Sequence, residues 1–153
     1  MKKIIISSIC FVALLAGCSS GSKGSEKVCT MTQGASDELE EKITISYDGD
    51  TVTTIVSKTT IDVEKTKTGT TMEDLEKLAK DVDKVYNAIK GVKYTYESKD
   101  KKFYETITVD IKEENMEELQ NKGMINMYVD EDGKILKADK LIDFLKDSGM
   151  KCK

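Results

Sequence analysis

The residues best equipped for covalent chemistry are four cysteines, Cys10, Cys18, Cys29 and Cys152, and the chain holds no histidine to assist them. That absence excludes Ser-His-Asp and Cys-His catalysis and removes the commonest zinc ligand. Ser46, Ser57 and Ser98 have lysines or acids nearby. Composition therefore leaves a Ser-Lys dyad open, although neither Ser-X-X-Lys nor Gly-X-Ser-X-Gly occurs. The 28 carboxylates make chance pairs unavoidable, and none is singled out as acid and base. The segment DEDGKI, residues 130–135, has part of a calcium-loop pattern in Asp130, Asp132, Gly133 and Ile135. Its first ligand position falls on Tyr128, however, and its last on Asp139 instead of glutamate. Calcium requires six or more oxygens, so this segment is read as a solvated turn. No metal, cofactor or catalytic residue is expected.

Cys18 is a different matter. It follows Leu15-Ala16-Gly17, which closes an apolar run that begins at Ile4 after Met1-Lys2-Lys3. A run of about a dozen residues is too short for a bilayer-spanning helix, which needs ~20, and suits the apolar region of a secretory signal. The small residues before the cysteine let an extended backbone enter a protease cleft, and only a thiol can form a thioether. The tetrapeptide resembles the lipobox of bacterial lipoproteins. That resemblance implies cleavage between Gly17 and Cys18 and a diacylglyceryl group on Cys18. Two acyl chains hold a protein on a membrane where one does so only marginally, each buried methylene contributing ~0.8 kcal/mol. The Ser/Gly-rich stretch that follows reads as a flexible tether over residues 18–26.

Cleavage would leave 136 residues, enough for one ordinary domain. With Lys2 and Lys3 gone, 22 lysines face 28 acids, so the net charge moves from −4 to −6. The signs are interspersed, and no basic stripe is visible in the sequence, so no nucleic-acid partner is expected. Anionic lipid would mildly repel such a chain, leaving attachment to the acyl chains. Cys10 departs with the signal, and Cys29 and Cys152 remain at the two ends of the folded part. Outside the cytoplasm a leftover pair is expected to be bonded, with two idle thiols as the alternative. A bridge across so long a loop would stabilise the fold by roughly 4–5 kcal/mol in the chain-entropy model.

The elements that would position these groups follow from periodicity. Strands are predicted at residues 27–33, at 39–47, where Leu39, Glu41, Ile43, Ile45 and Tyr47 alternate onto one face, and at 51–64. An Asp48-Gly49 turn joins the second and third. The third changes parity between Val52/Thr54/Val56 and Ile55/Ile61/Val63, which calls for a bulge. Residues 70–90 read as the main helix, with a stripe of Leu75, Leu78, Ala79, Val82, Val85, Tyr86 and Ile89. Thr70 with Glu73, or Thr71 with Asp74, supplies a capping box. Strands are then predicted at 92–96 and 103–111, a short helix at 113–122, a hairpin from 124–129 to 134–136, and a last helix at 139–148. The two long hairpins have similar composition and are read as similar hairpins instead of a repeat. The fold class is α+β, a mostly antiparallel sheet built from hairpins with helices on one face. The chain divides into a signal peptide (1–17), a lipidated tether (18–26) and a single domain (27–153). Tyr47, Tyr94, Tyr96 and Tyr104 either line a ligand groove on an open sheet face or pack beneath helices and along an edge.

The lipobox, the Cys29 context EKVCTMT, the paired strands ITISYDGDTVTTIVSKTTID and the ending LIDFLKDSGMKCK together resemble the YehR-like small lipoproteins of bacteria. That resemblance implies a secreted, lipid-anchored α+β domain and transfers no catalytic residue. The expected protein is a non-enzymatic domain on the extracytoplasmic face of a bacterial membrane, held by acyl chains on Cys18. It would bind a protein, peptide or small ligand. The alternatives are a small envelope hydrolase of Ser-Lys or carboxylate type and an assembly factor acting through a sheet edge.

Overall fold

The computed structural model describes residues 24–33, 38–66, 69–125, 129 and 135–153. The signal segment, Gly17, Cys18, most of the tether and the 130–134 turn with Tyr128 lie outside the described residues. In chain order the elements are β1 (Ser25–Gln33), β2 (Leu39–Asp48), β3 (Thr51–Asp62), α1 (Met72–Tyr86), β4 (Val92–Lys99), β5 (Lys102–Asp110), α2 (Met116–Asn121), α3 (Ala138–Asp147) and β6 (Lys151–Cys152). The strands form one six-stranded sheet in the order β4-β5-β3-β2-β1-β6, with every pairing antiparallel. The α+β class read from sequence is the class observed. The strand β6 has only two residues and no alternation to betray it. β1 begins at Ser25, inside the segment read as tether, because Ser25 and Glu26 pair with Tyr47 and Ser46.

The parity change in β3 has the predicted cause. Tyr47 faces Val52 while Ser46 faces Thr54, so Thr53 is the extra residue. Its hydroxyl donates to the Ser46 carbonyl at 3.1 Å. Beyond the bulge, Ile55 and Ile61 join Val52 on the inner face and Thr54, Val56 and Thr60 turn outward. The β2–β3 turn uses Gly49 at φ 59°, while the β4–β5 turn places Asp100 (φ 52°) and Lys101 (φ 64°) in the left-handed region. That conformation suits a two-residue hairpin loop and is usually given to Asn-Gly.

Helices cover the inner face in two places. Ala79 of α1 closes over Tyr94 and Phe103, with Ile61, Leu75, Val82 and Tyr96 around them. The larger core gathers Cys29, Ile45, Val52, Val92, Val109, Met116, Leu119, Leu136, Leu141, Ile142 and Leu145 beneath α2 and α3. The stripe predicted for α1 is too wide, since Leu78 and Val85 are 62% and 59% exposed. Because α1 packs on β4 and β5 at the sheet margin, only the arc through Leu75, Ala79, Val82 and Tyr86 meets strands. Thr71 and Asp74 form its capping box, with the Asp74 amide donating to Thr71 Oγ1 and the Thr71 amide donating to Asp74. The Thr71 hydroxyl also donates to Asp74 Oδ2 at 2.6 Å, and this bond first, then the one from the Thr71 amide, holds the Asp74 carboxyl below its ordinary pKa. The helix ends at Tyr86, four residues short of the prediction, because Asn87 turns its side chain to the backbone of β4.

Candidate functional site

Register assigns every strand residue to a face. On the inner face one row runs Met31, Glu41, Thr59, Glu105, Tyr96 across β1, β2, β3, β5 and β4. Glu41 and Glu105 therefore flank Thr59, a carboxylate pair that the sequence does not suggest. Each is engaged locally. Ser57 Oγ donates to Glu41 Oε1 at 3.4 Å, and the Tyr94 hydroxyl donates to Glu105 Oε2 at 2.9 Å. Burial first, and then the hydrogen bond to Glu105, push the Tyr94 phenol well above its ordinary pKa. Of the dyad serines, Ser57 is thus tied to a carboxylate, Ser46 lies on the outer face beside the bulge, and Ser98 is exposed near the end of β4. Among the described residues no group of three His, Cys, Asp or Glu could hold a metal ion.

The tyrosines divide between the two expectations. Tyr94 is 1% exposed and packs edge-on to Tyr86, ring centroids 5.9 Å apart, while Tyr96 stacks on Phe103 at 5.9 Å. Tyr47 packs against the larger core. By register Tyr104 alone of the four faces outward, in a shallow groove of about 300 Å3 that Lys58, Thr95, Tyr96, Glu97 and Thr106 also line.

Among the described residues no helix lies over the outer face, which is rich in hydroxyls. Its successive rows read Glu26-Ser46-Thr54-Asp110, then Val28-Thr44-Val56-Thr108-Lys93, then Lys151-Thr30-Lys42-Lys58-Thr106-Thr95, then Thr32-Glu40-Thr60-Tyr104-Glu97. Threonine suits this position, since its branched Cβ favours an extended backbone and its hydroxyl stays solvated. A second notch, about 440 Å3, opens where β6 stops short along β1, lined by Thr30, Thr32, Glu40, Gly149 and Lys151.

Both edges of the sheet are restricted. On β4 the Asn87 side chain accepts from the Tyr94 amide at 2.7 Å and donates to the Tyr94 carbonyl at 3.2 Å. At the other edge β6 pairs with β1, and a disulfide joins Cys29 to Cys152, whose Cα atoms lie 4.0 Å apart. The two cysteines read as a leftover pair are thus neighbours in the ladder, with Cys29 fully buried.

Together these features define a class: an antiparallel α+β domain with one face covered by helices, the other bare among the described residues, and its first and last strands joined by a disulfide. The chain belongs to the family described as "Protein of unknown function (DUF1307)", whose model matches residues 30–151. It is similar to the YehR protein of E. coli, known from an NMR structure. Identity is 24% over 86% of this chain and 93% of that one, with a TM-score of 0.61. It is also similar to a protein from Streptococcus pneumoniae TIGR4, again by NMR, at 13% identity, 100% and 97% coverage and a TM-score of 0.53. At these identities the likeness shows the fold. No curated protein matches. The YehR resemblance read from the sequence and the family membership agree.

Proposed function

We propose that this protein is an exported binding module, tethered by acyl chains on Cys18 to the extracytoplasmic face of a bacterial membrane, and that its open sheet face is the surface that meets a ligand. The observation that carries the reading is the inequality of the two faces. The inner face packs two apolar clusters beneath three helices, with the Glu41-Thr59-Glu105 row as its polar exception. The outer face combines hydroxyls, charges and one aromatic ring on a rigid ladder, and rigid placement of polar groups favours recognition. The lipobox, the Ser/Gly tether and the lack of histidine support anchoring and binding over turnover. The hydroxyls of Ser57 and Tyr94, the inner-face groups nearest to chemistry, are already committed to Glu41 and Glu105.

Two measurements test this. Palmitate labelling and intact mass should show a diacylated chain beginning at Cys18, lost in Cys18→Ala. A photo-crosslinking side chain at Thr44 or Thr106 should form adducts on intact cells, whereas one at Lys77 on α1 should not. Unlabelled protein retaining Met1 would overturn the anchor, and adducts confined to Lys77 would overturn the surface.

A further inference from the structure

Lysines far apart in the chain converge on the open face. Lys42 and Lys58 stand directly opposite each other on β2 and β3. Lys151 lies in the same row, two strands to one side, and Lys93 lies one row over, two strands to the other. The track crosses from β6 to β4, five inter-strand spacings, about 24 Å. Thr30, Thr106 and Thr108 fill the places between. Among the described residues none of these four lysines is in an ion pair. The Lys42–Lys58 register is itself unfavourable, since like charges directly opposite destabilise a sheet. Lys99 also faces Lys102, but Asp62 stands across from Lys102 on its other side. Lys42 and Lys58 have only threonines there, Thr30 and Thr106. A concentration of unneutralised cations on a chain of net charge −4 is what an anionic ligand would complete.

The acids around the track define the ligand's shape. Glu26 and Asp110 border it on one side, Glu40 and Glu97 on the other. A flat anionic bilayer would press on both acidic rows at once, and the twist of the sheet would lift its corners away. A narrow chain lying along the lysines avoids both rows. Nucleobases would want successive aromatic platforms, and the track offers one outward ring, Tyr104, which shares the groove of Lys58. We propose that the open face is a track for a linear phosphodiester-linked polyol chain, bound across the strands by Lys151, Lys42, Lys58 and Lys93. The proposal rests on the open-face reading above and adds the ligand's chemistry to it.

The test uses the full lipidated protein held in phosphatidylcholine vesicles, with labelled poly(glycerol phosphate) as the probe. Binding should weaken with salt at a log-log slope of about −2.8, four contacts at the value of ~0.7 each found for single-stranded polyanions. Lys42→Gln with Lys58→Gln should weaken binding by roughly tenfold or more and bring the slope to about −1.4. Lys77→Gln with Lys80→Gln on α1 should change neither. The proposal is overturned by absence of binding, by an equal effect of the α1 pair, by single-stranded DNA binding as tightly, or by phosphatidylglycerol vesicles displacing the polymer as well as free polymer does. Circular dichroism controls for folding, and the double variant should melt no lower than the parent, since it relieves a like-charge pair. Failure here with adducts still forming at Thr106 would remove the polymer and leave the open-face reading standing.

Discussion

The side chain of Asn87 occupies both backbone hydrogen-bonding positions of Tyr94, standing where a seventh strand would pair. Its amide also donates to Asp83 Oδ1 at 2.7 Å, which fixes the rotamer from the helix side. One residue thereby ends α1, orients it on β4 and closes the middle of an exposed edge. Free edges invite strand addition and aggregation, and natural sheets block them by such devices.

Asn87→Ala should therefore have two separable effects. Losing two hydrogen bonds to Tyr94 costs about 1–3 kcal/mol, visible as a lower urea midpoint. The reopened edge should also make the variant self-associate, read by light scattering across a concentration series. Asn87→Asp, which keeps the acceptor for the Tyr94 amide but not the donor, should fall between. A monomeric alanine variant at every concentration would mean that the lysines along β4 suffice to protect the edge.

Gly91 and Asn115 make a second lock. Gly91 sits at φ 83°, and a Cβ there would lie 2.1 Å from Asn115 Nδ2 and 2.7 Å from the Asp110 carbonyl. Asn115, 3% exposed, donates to the carbonyls of Lys90 (3.2 Å) and Asp110 (2.8 Å) and accepts from the Lys112 amide (2.9 Å). Gly91→Ala should cost about 2–4 kcal/mol, combining left-handed strain with displacement of a buried polar group. Adding Asn115→Ala should cost less than the sum of the single changes, because the two disrupt the same lock. Additive urea midpoints would show that they act separately.

The disulfide clips a two-residue strand that could not hold itself. Cys29 and Cys152 are 123 residues apart in the chain. Cys29→Ala with Cys152→Ala should cost about 3–5 kcal/mol. Amide exchange should rise first in β6 and along β1, while α1 and β4, packed in the separate Tyr94–Phe103 cluster, respond only through global unfolding. Uniform loss of protection at all amides would indicate a single cooperative unit.

What could be read in advance was whatever local spacing determines. The bulge in β3 was legible because Val52 and Ile55 cannot face the same way without it. The α1 stripe was legible as a direction, but its width was not, since a 3.6-residue period says where Leu78 and Val85 point and not how far the sheet extends beneath them. The lysine track was invisible. Lys42 and Lys58 meet only once the Gly49-Asp50 turn sets their register, and Lys151 arrives through a strand too short to show a pattern. The Glu41–Glu105 row was hidden for the same reason: strand order, not sequence, brings β5 beside β3.

Tyr94 gives the fold a predictable alkaline limit. Burial, reinforced by the bond to Glu105, keeps its phenol protonated beyond the free value of 10.0. The unfolded chain releases that proton first, so the folded state binds more protons, and stability declines as pH rises above about 10. Lys101 contributes with the same sign. Glu64 raises the pKa of its ammonium, and that contribution is present below the ordinary lysine value and lost as pH rises through the raised one. Tyr94→Phe should accordingly cost about 1 kcal/mol near neutrality, through the lost bond to Glu105, and then show a shallower fall in urea midpoint above pH 10 than the parent. Tyrosinate absorbance provides the independent readout, with one tyrosine in the parent ionising only as circular dichroism reports unfolding. If Tyr94→Phe and the parent fall in parallel, the phenol is solvated before the fold opens, and the packing of α1 over β4 and β5 is looser than the Tyr86–Tyr94 contact implies.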